Sequence, residues 1–379
     1  MQDDTTYDLA IVGGGLAGLA LSIQIARARH KVILFEKEQY PFHRVCGEYI
    51  SLESWNFLQQ LGVDPSSLNV SQIKRLQVSD IKGAFFEQPL PLGGFGISRY
   101  KLDHTLAQIA KQTGAVVREQ TRVNDIQFSD DRFSIESTKG NFKAKVVAGS
   151  FGKRSNLDVK WKRPFIIAKK NKLNNYIGVK YHIRYNFPDD LIALHNFKKG
   201  YCGISKVEGD QYCLCYLTTA DNLQSSNNDI RKMEQNILSA NPHLKKIFSE
   251  CEMLWKEPVT ISQISFDKKN LVEDHMLMIG DAAGMITPLC GNGMSMAMHA
   301  SKIAAEEISK FLEGTIVREK MEQEYAKKWN KLFANRLKTG RILQRLFDSQ
   351  WLTTLIIRLG RTFPSVIRSL IKQTHGDPF

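Results

Sequence analysis

The chain has 379 residues, of which 42% are hydrophobic and 9% aromatic. That much apolar side chain supports a packed core and excludes a disordered protein. No stretch approaches the roughly 18 to 20 uncharged apolar residues of a membrane-spanning helix. The first residues have the pattern of neither a signal nor a transit peptide, and the six cysteines include no CxxC pair. We therefore expect a cytoplasmic protein without a disulfide framework or a structural zinc site.

The first predicted elements are a strand, a glycine turn and a helix. Residues 7–12 form an apolar run typical of a strand buried on both faces. Gly13, Gly15 and Gly18 follow at the GxGxxG spacing, and a second apolar strand ends in Glu36. This spacing suits a tight turn, a close approach to a pyrophosphate and close helix packing, while the acid suits a ribose. The order of these parts predicts a dinucleotide-binding unit.

The next loop, YPFHRVCGEYIS at residues 40–51, contains a cysteine beside basic residues. A disulfide at Cys46 conflicts with the expected compartment, and no second soft ligand lies at a spacing that suits a metal. A nucleophilic role would need a lowered pKa, which Arg44, His43 or a helix end could supply. A buried inert thiol is the other alternative.

The middle of the chain has a different pattern. Residues 161–263 show short alternating runs typical of antiparallel strands, followed by a helical stretch at 229–250. Residues 72–95 are predicted to add strands to the same sheet. His182 and His195 lie in these strands, and a lone histidine in a strand is more often structural than catalytic, so we assign neither a role.

A second glycine motif follows a short apolar strand. It reads GDAAG at residues 280–284, then P-x-x-G-x-G at 288–293, with a helix predicted from Gly293. With these motifs the chain resembles the geranylgeranyl reductase family of FAD-dependent oxidoreductases, within the p-hydroxybenzoate hydroxylase-like flavoprotein superfamily. That resemblance implies FAD as the dinucleotide.

The resemblance assigns cofactor contacts to the second motif. Asp281 is expected to bind the ribityl hydroxyls of FAD. Backbone N–H groups near Gly291, Asn292, Gly293 and Met294, at a helix N-terminus, are expected to face the flavin carbonyl oxygen. A positive helix end suits this position because reduced flavin is anionic.

Other cofactor contacts follow from the same resemblance. Arg99, which precedes Asp103 at the start of a helix, and Arg44 are predicted to contact the cofactor, and Val123 is predicted to neighbour the adenine. The family's Asp-Gly pair is absent, because no aspartate precedes Gly152. This departure puts the handling of NAD(P)H in doubt, so either NAD(P)H or a protein electron donor is expected as the reductant.

The predicted fold class is α/β, or α+β overall. It has a Rossmann-like FAD-binding domain, an inserted antiparallel-sheet substrate domain and a helical C-terminal tail. The predicted boundaries are 1–71, 96–160 and 264–314 for the FAD-binding domain, 72–95 and 161–263 for the substrate domain, and 315–379 for the tail.

In the resembling family a Cys-Gly-Glu motif follows the second strand, as Cys46, Gly47 and Glu48 do here. The resemblance places Cys46 beside the flavin ring, as a wall of the substrate cavity or as a proton donor. The expected substrate is an apolar isoprenoid or long-chain phenolic lipid, and no nucleic-acid partner is expected. Hydride transfer to a C=C bond is favoured, hydroxylation of an aromatic ring stays open, and a non-catalytic FAD-binding module is the third alternative. Halogenation is disfavoured because the halogenases' tryptophan motif is missing.

The tail, residues 315–379, carries thirteen basic and five acidic residues, and so holds +8 of the net charge of +13. It is helical in period up to Pro364 and again beyond it. A basic amphipathic helix can lie on an anionic membrane surface, here the inner face of the membrane, or it can pack on the flavin domain. Both alternatives stay open. The apolar stripe consists of Trp351, Leu352, Leu355, Ile356 and Leu359.

Overall fold

The computed structural model describes residues 5–64, 66–167 and 175–379. Within these ranges the chain forms two sheets and twelve α-helices. The strands are β1 (Thr6–Val12), β2 (Val32–Phe35), β3 (Tyr49–Ser51), β4 (Gln72–Ser79), β5 (Phe85–Gly96), β6 (Val116–Arg118), β7 (Val123–Ser129), β8 (Arg132–Ser137), β9 (Gly140–Gly149), β10 (Tyr176–Arg184), β11 (Leu191–Phe197), β12 (Gly200–Lys206), β13 (Tyr212–Thr219), β14 (Glu252–Met253), β15 (Val259–Ile264), β16 (Val272–Glu273) and β17 (Met276–Met278). The helices are α1 (Leu16–Arg27), α2 (Trp55–Gln60), α3 (Arg99–Gln112), α4 (Asn156–Lys160), α5 (Pro164–Ile167), α6 (Ala220–Ser225), α7 (Ile230–Asn236), α8 (Pro242–Glu250), α9 (Gly293–Leu312), α10 (Arg318–Phe347), α11 (Gln350–Thr362) and α12 (Pro364–Thr374).

The first sheet has a parallel centre in the order β17-β9-β1-β2-β6. β16 pairs antiparallel with β17 at one edge, and the hairpin β7–β8 extends from β9. All four residues of β2 are buried, as expected for a strand covered on both faces by helices. This is the predicted Rossmann-like α/β arrangement, and its strands end at the glycine motifs.

The second sheet follows the order β14-β10-β13-β12-β11-β4-β5-β3, with β15 also paired to β10. Its pairs are antiparallel except for β11 with β4. One face packs on α7 and α8 through buried side chains such as Val179, Leu214 and Leu244. We call the opposite face the inner face. It points toward the first sheet, because Ser205 Oγ donates to the Gly47 carbonyl oxygen at 3.4 Å.

The tail forms three helices that differ in their packing. The buried side chains of α10, among them Tyr325, Trp329 and Phe333, join the core of the first sheet. α11 and α12 instead pack on β4 and β5, where Ile357 and Ile367 form a buried cluster with strand side chains. Among the described residues, every helix is too short or too polar to span a bilayer.

These observations confirm the predicted fold class, including the four predicted strands β10 to β13. The helical stretch predicted at 229–250 is interrupted between α7 and α8, because Asn241 caps α8 and Pro242 occupies its first turn. The second sheet also includes β3, which lies within the range predicted for the FAD-binding domain. The domain boundaries stay a prediction, and residues 1–4, 65 and 168–174 within them lie outside the described ranges.

Candidate functional site

The three glycines of the first motif have different surroundings. Gly13 has φ +107°, and a Cβ there would lie 2.5 Å from the Ser150 carbonyl oxygen. A Cβ at Gly18 would overlap the Gly13 carbonyl oxygen, so these two positions need glycine for the protein's own packing. At Gly15 the nearest atom would be Arg99 Nη2 at 3.5 Å. Open space at Gly15, in front of α1, is what a bound phosphate would require.

Two buried carboxylates and two arginines lie beside this turn. Glu36 accepts a hydrogen bond from the Gly14 N–H at 2.9 Å and pairs with Arg44 Nη2 at 2.8 Å. Arg44 Nε also pairs with Asp103 at 3.1 Å, and Asp103 pairs with Arg99 Nε at 2.7 Å. Burial would lower the pKa of Arg99, but Asp103 raises it, so the net shift is upward. The arrangement therefore keeps a permanent cation next to the open space.

The predicted adenine neighbour follows a segment that contacts the Glu36 backbone. Val123 is buried at the start of β7, and Asn156 Nδ2 donates to its carbonyl oxygen at 3.0 Å. Two residues earlier, the Thr121 N–H donates to the Glu36 carbonyl oxygen at 2.9 Å. The structure thus brings the segment before Val123 to the end of β2, while its role toward adenine stays a prediction.

The second glycine motif lies against the first. Asp281 belongs to the 3-10 turn Gly280–Ala282, and a Cβ at Gly280 would lie 3.1 Å from the Ala17 Cβ of α1. Lys269 Nζ donates to the Asp281 carbonyl oxygen at 2.8 Å. Burial lowers the pKa of Lys269 to about 8, although the charge of Asp281 opposes this shift. Two motifs far apart in sequence therefore form one continuous surface.

The residues predicted to face the flavin carbonyl form the start of α9. Gly291 has φ +65°, which a residue with a side chain adopts only with strain, and Gly293 is the first residue of the helix. Asn292 Nδ2 donates to the Thr374 carbonyl oxygen at 2.9 Å, and Met294 is buried. No side chain among the described residues caps either α9 or α1. The open space at Gly15 and the two uncapped helix starts fit an anionic dinucleotide.

Cys46 lies where the first sheet meets the inner face of the second. Its side chain is partly exposed, and its Sγ accepts a hydrogen bond from the Glu48 N–H at 3.5 Å. Cys213 Sγ donates to the Cys46 carbonyl oxygen at 3.3 Å. The loop is thus held against β13, and the Cys46 residue remains partly exposed.

Beside Cys46 lies a buried ionic cluster that the sequence analysis missed. Glu48 Oε1 pairs with Lys180 Nζ and accepts the Arg99 N–H at 2.7 Å, while Glu48 Oε2 pairs with His182 Nε2 at 2.6 Å. Burial would raise the pKa of Glu48, but Lys180 and His182 lower it to about 2. Burial would lower the pKa of Lys180, but Glu48 raises it overall. At neutral pH the pair is therefore ionised inside the protein.

One sequence signal could have revealed this cluster. Alternation along β10 places Gly178, Lys180 and His182 on one side, and a lysine in a strand that is otherwise almost wholly buried needs a partner. The sequence assigned no role to His182, yet it contacts Glu48. The ligand atoms of Glu48, His182 and Cys213 lie within 4.8 Å of one another. Because the Lys180 ammonium already neutralises the carboxylate, we assign no metal there.

Comparison with known proteins identifies the family. Residues 6–332 match the sequence profile of the FAD binding domain family, which is well over half of the chain. The chain belongs to the FAD binding domain family. It is therefore an FAD-dependent oxidoreductase, as the resemblance implied. The individual contacts predicted for Asp281 and the other cofactor residues stay predictions.

Two relatives and two solved structures are similar to this chain. Conditioned medium factor receptor 1 of Dictyostelium discoideum is 24% identical over 80% of this chain, which spans only 63% of that protein. Digeranylgeranylglycerophospholipid reductase of Methanococcus vannielii is 24% identical over 92% of this chain and 89% of that protein. A geranylgeranyl bacteriochlorophyll reductase-like protein from Thermoplasma acidophilum superposes with a TM-score of 0.78 at 17% identity, covering 96% of this chain and 98% of the other. The flavin-dependent brominase Bmp2 superposes with a TM-score of 0.78 at 18% identity, covering 98% of this chain and 93% of the other. Because these two structures are only 17% and 18% identical to this chain, they show a shared fold and nothing more.

Proposed function

We propose that this FAD-dependent oxidoreductase reduces a C=C bond of an apolar isoprenoid or long-chain phenolic lipid. FAD held at the two glycine motifs would, in its reduced form, supply a hydride for one carbon of the double bond. The Cys46 thiol, or a water beside it, gives a proton to the other carbon, and the thiolate recovers a proton from solvent. The alkene would gain the hydride and this proton, and the two electrons would come ultimately from NAD(P)H or a protein electron donor.

The observation that carries the proposal is a row of small and apolar side chains across the inner face. Leu194 pairs with Gly203, Gly203 with Cys215, and Cys215 with Lys180, on four adjacent strands. Leu194, Gly203 and Cys215 are partly exposed although their neighbours along each strand are buried. Cys215 follows Cys213, which touches the Cys46 loop, by two residues on the same face. An apolar chain lying in this row would end beside Cys46.

The relatives support this reading over the alternatives. Two of the curated relatives are named digeranylgeranylglycerophospholipid reductase, and this chain spans 89% and 94% of their lengths. Curated relatives named as a brominase and a chlorinase also match, at 22% identity over 80% and 76% of their lengths, so their matches cover less than those of these two reductases. A reductase acting on a lipid double bond is the activity that the relatives and the apolar row both favour.

An anaerobic assay tests this proposal. The purified FAD-loaded protein, reduced with dithionite, is mixed with unsaturated prenyl lipids or long-chain phenols in the absence of oxygen. We expect flavin reoxidation and a product heavier by two hydrogens, measured by absorbance and mass spectrometry. Product that forms only with oxygen and gains an oxygen atom would show hydroxylation instead. A saturated lipid of equal length is the control for non-specific flavin oxidation.

Replacing Cys46 with alanine is expected to lower kcat by about 10²-fold, because a positioned acid contributes 10² to 10⁴-fold in rate. The flavin content and KM should change little, since Cys46 lies beside the cofactor motifs rather than within them. Cys251→Ala, at the C-terminal end of α8, is the matched control and should behave as the wild type. Full activity in Cys46→Ala would show that Cys46 is not the proton donor and only lines the cavity.

A further inference from the structure

The helices α11 and α12 each have one packed side and one exposed side. On the packed side, Ile357 and Ile367 are buried against Val78 and Phe86 of the second sheet. Arg361 Nε also donates to the Phe85 carbonyl oxygen at 2.7 Å. These contacts attach both helices to the second sheet. They also determine which side chains point away from the protein.

The stripe that looked continuous in sequence is divided by this packing. Leu352 and Ile356 are partly buried, whereas other large apolar residues point outward. We call the outward set the α11–α12 outer face. It consists of Trp351, 72% exposed, Leu355 and Leu359, each 40% exposed, Phe363, 53% exposed, and Val366, 49% exposed. So many exposed large apolar side chains on two consecutive helices indicate an interaction surface.

The charged residues of these two helices all have one sign. Residues 350–374 contain Arg358, Arg361, Arg368 and Lys372 and no aspartate or glutamate. Arg358 and Arg368 are exposed among the outward apolar residues. Arginine can lie with its stem along an apolar layer while its guanidinium reaches phosphate groups. Exposed apolar and cationic side chains on helices that contain no acidic residue are complementary to lipid headgroups above acyl chains.

We propose that the α11–α12 outer face docks this protein on the surface of an anionic bilayer. Trp351 and Phe363 would lie at the headgroup level, where aromatic side chains concentrate, and the arginines would contact phosphates. Because the packed side of the same helices touches β4 and β5, docking holds the edge of the second sheet at the bilayer. The inference does not depend on the reaction proposed above, and it explains how a lipid could reach the row that includes Leu194.

Vesicle sedimentation with the full-length, FAD-loaded protein tests the docking. We compare vesicles of phosphatidylcholine with vesicles containing about one third phosphatidylglycerol. We expect wild-type protein to bind the anionic vesicles and to dissociate in high salt. Trp351→Ala/Leu355→Ser/Leu359→Ser should reduce the bound fraction about tenfold, since these side chains supply the inserted apolar area. Arg358→Gln/Arg368→Gln should reduce binding to anionic vesicles by a similar factor.

Matched controls separate docking from general stickiness. Val159→Ser/Val317→Ser removes two exposed apolar side chains, 45% and 65% exposed, that lie outside the outer face, and it should bind as the wild type. Flavin content reports that each variant is folded. The proposal is overturned if wild-type protein stays in the supernatant with anionic vesicles, or if the triple variant sediments like the wild type. A wild-type dimer in light scattering that becomes a monomer in the triple variant, without vesicle binding, would assign the face to a second copy of the chain.

Discussion

Replacing Gly15 with valine is expected to yield a folded protein that does not retain FAD. Within the protein, a Cβ at Gly15 meets nothing closer than Arg99 Nη2 at 3.5 Å, so the first atom of the side chain clashes with no part of the polypeptide. The same space is where the motif is expected to receive the pyrophosphate. A clash of about 3 kcal/mol would weaken FAD binding by more than about 100-fold. The flavin-to-protein absorbance ratio after purification measures the effect.

The neighbouring glycine provides the contrast for this experiment. A Cβ at Gly18 would overlap the Gly13 carbonyl oxygen and lie 2.5 Å from Ser150 Oγ, so Gly18→Val should disturb folding itself. Circular dichroism and urea unfolding should therefore separate the two variants, with native spectra only for Gly15→Val. A yellow Gly15→Val protein with wild-type affinity would show that the pyrophosphate does not approach this residue.

Replacing Lys180 with methionine is expected to destabilise the protein by about 3 to 5 kcal/mol, because it leaves the Glu48 carboxylate buried without its ammonium partner. Both side chains are fully buried. The double variant Glu48→Gln/Lys180→Met removes both charges and should recover most of the loss. Arg184→Met is the matched control on the same strand. Its pair with Glu252 is exposed, and such pairs contribute about 1 kcal/mol or less. Urea unfolding gives the free energies of unfolding.

The same cluster predicts how wild-type stability depends on acid. The pKa of Glu48 is about 2 in the folded protein and about 4.5 in the unfolded chain. The stabilisation is therefore complete above pH 4.5 and disappears as the pH falls toward 2, by about 3 kcal/mol in total. The double variant should lack this part of the acid dependence. Equal acid profiles for wild type and double variant, or full stability of Lys180→Met, would mean that the buried pair is not ionised.

The cluster also illustrates what the sequence could not predict. Glu48 lies 132 residues from Lys180 and 134 from His182 in the chain. Alternation along β10 could place Lys180 and His182 on the inner side, but nothing local indicates which loop meets that side. Only the tertiary fold brings the carboxylate to them. The Cys-Gly-Glu motif drew attention to Cys46, whereas its glutamate, Glu48, pairs with Lys180 and His182 inside the protein.

The tail shows the same limit in another form. Helical periodicity predicted a single apolar stripe along α11, and such a stripe is consistent with either burial or membrane contact. In the structure, Ile357 is buried against the second sheet and Ile356 is partly buried there. Trp351 and Leu355 remain exposed. The predicted packing of this stripe on the flavin domain is wrong, because the buried side of α11 lies on the second sheet, and the opposite side remains available for membrane contact.

The amino-acid sequence alone determined the parts that depend on short-range geometry. Turns and helix starts are indicated by the spacing of Gly13, Gly15 and Gly18, by the acid Glu36 and by the GDAAG motif. Such local features follow mainly from residues that are close together in sequence. Alternating side chains likewise specified the strands of the second sheet. The tertiary structure decided which charges are paired inside the protein and which apolar side chains stay outside. Those outcomes depend on the free energy of bringing distant surfaces together, and burial of a charge is tolerated only where the fold supplies its partner.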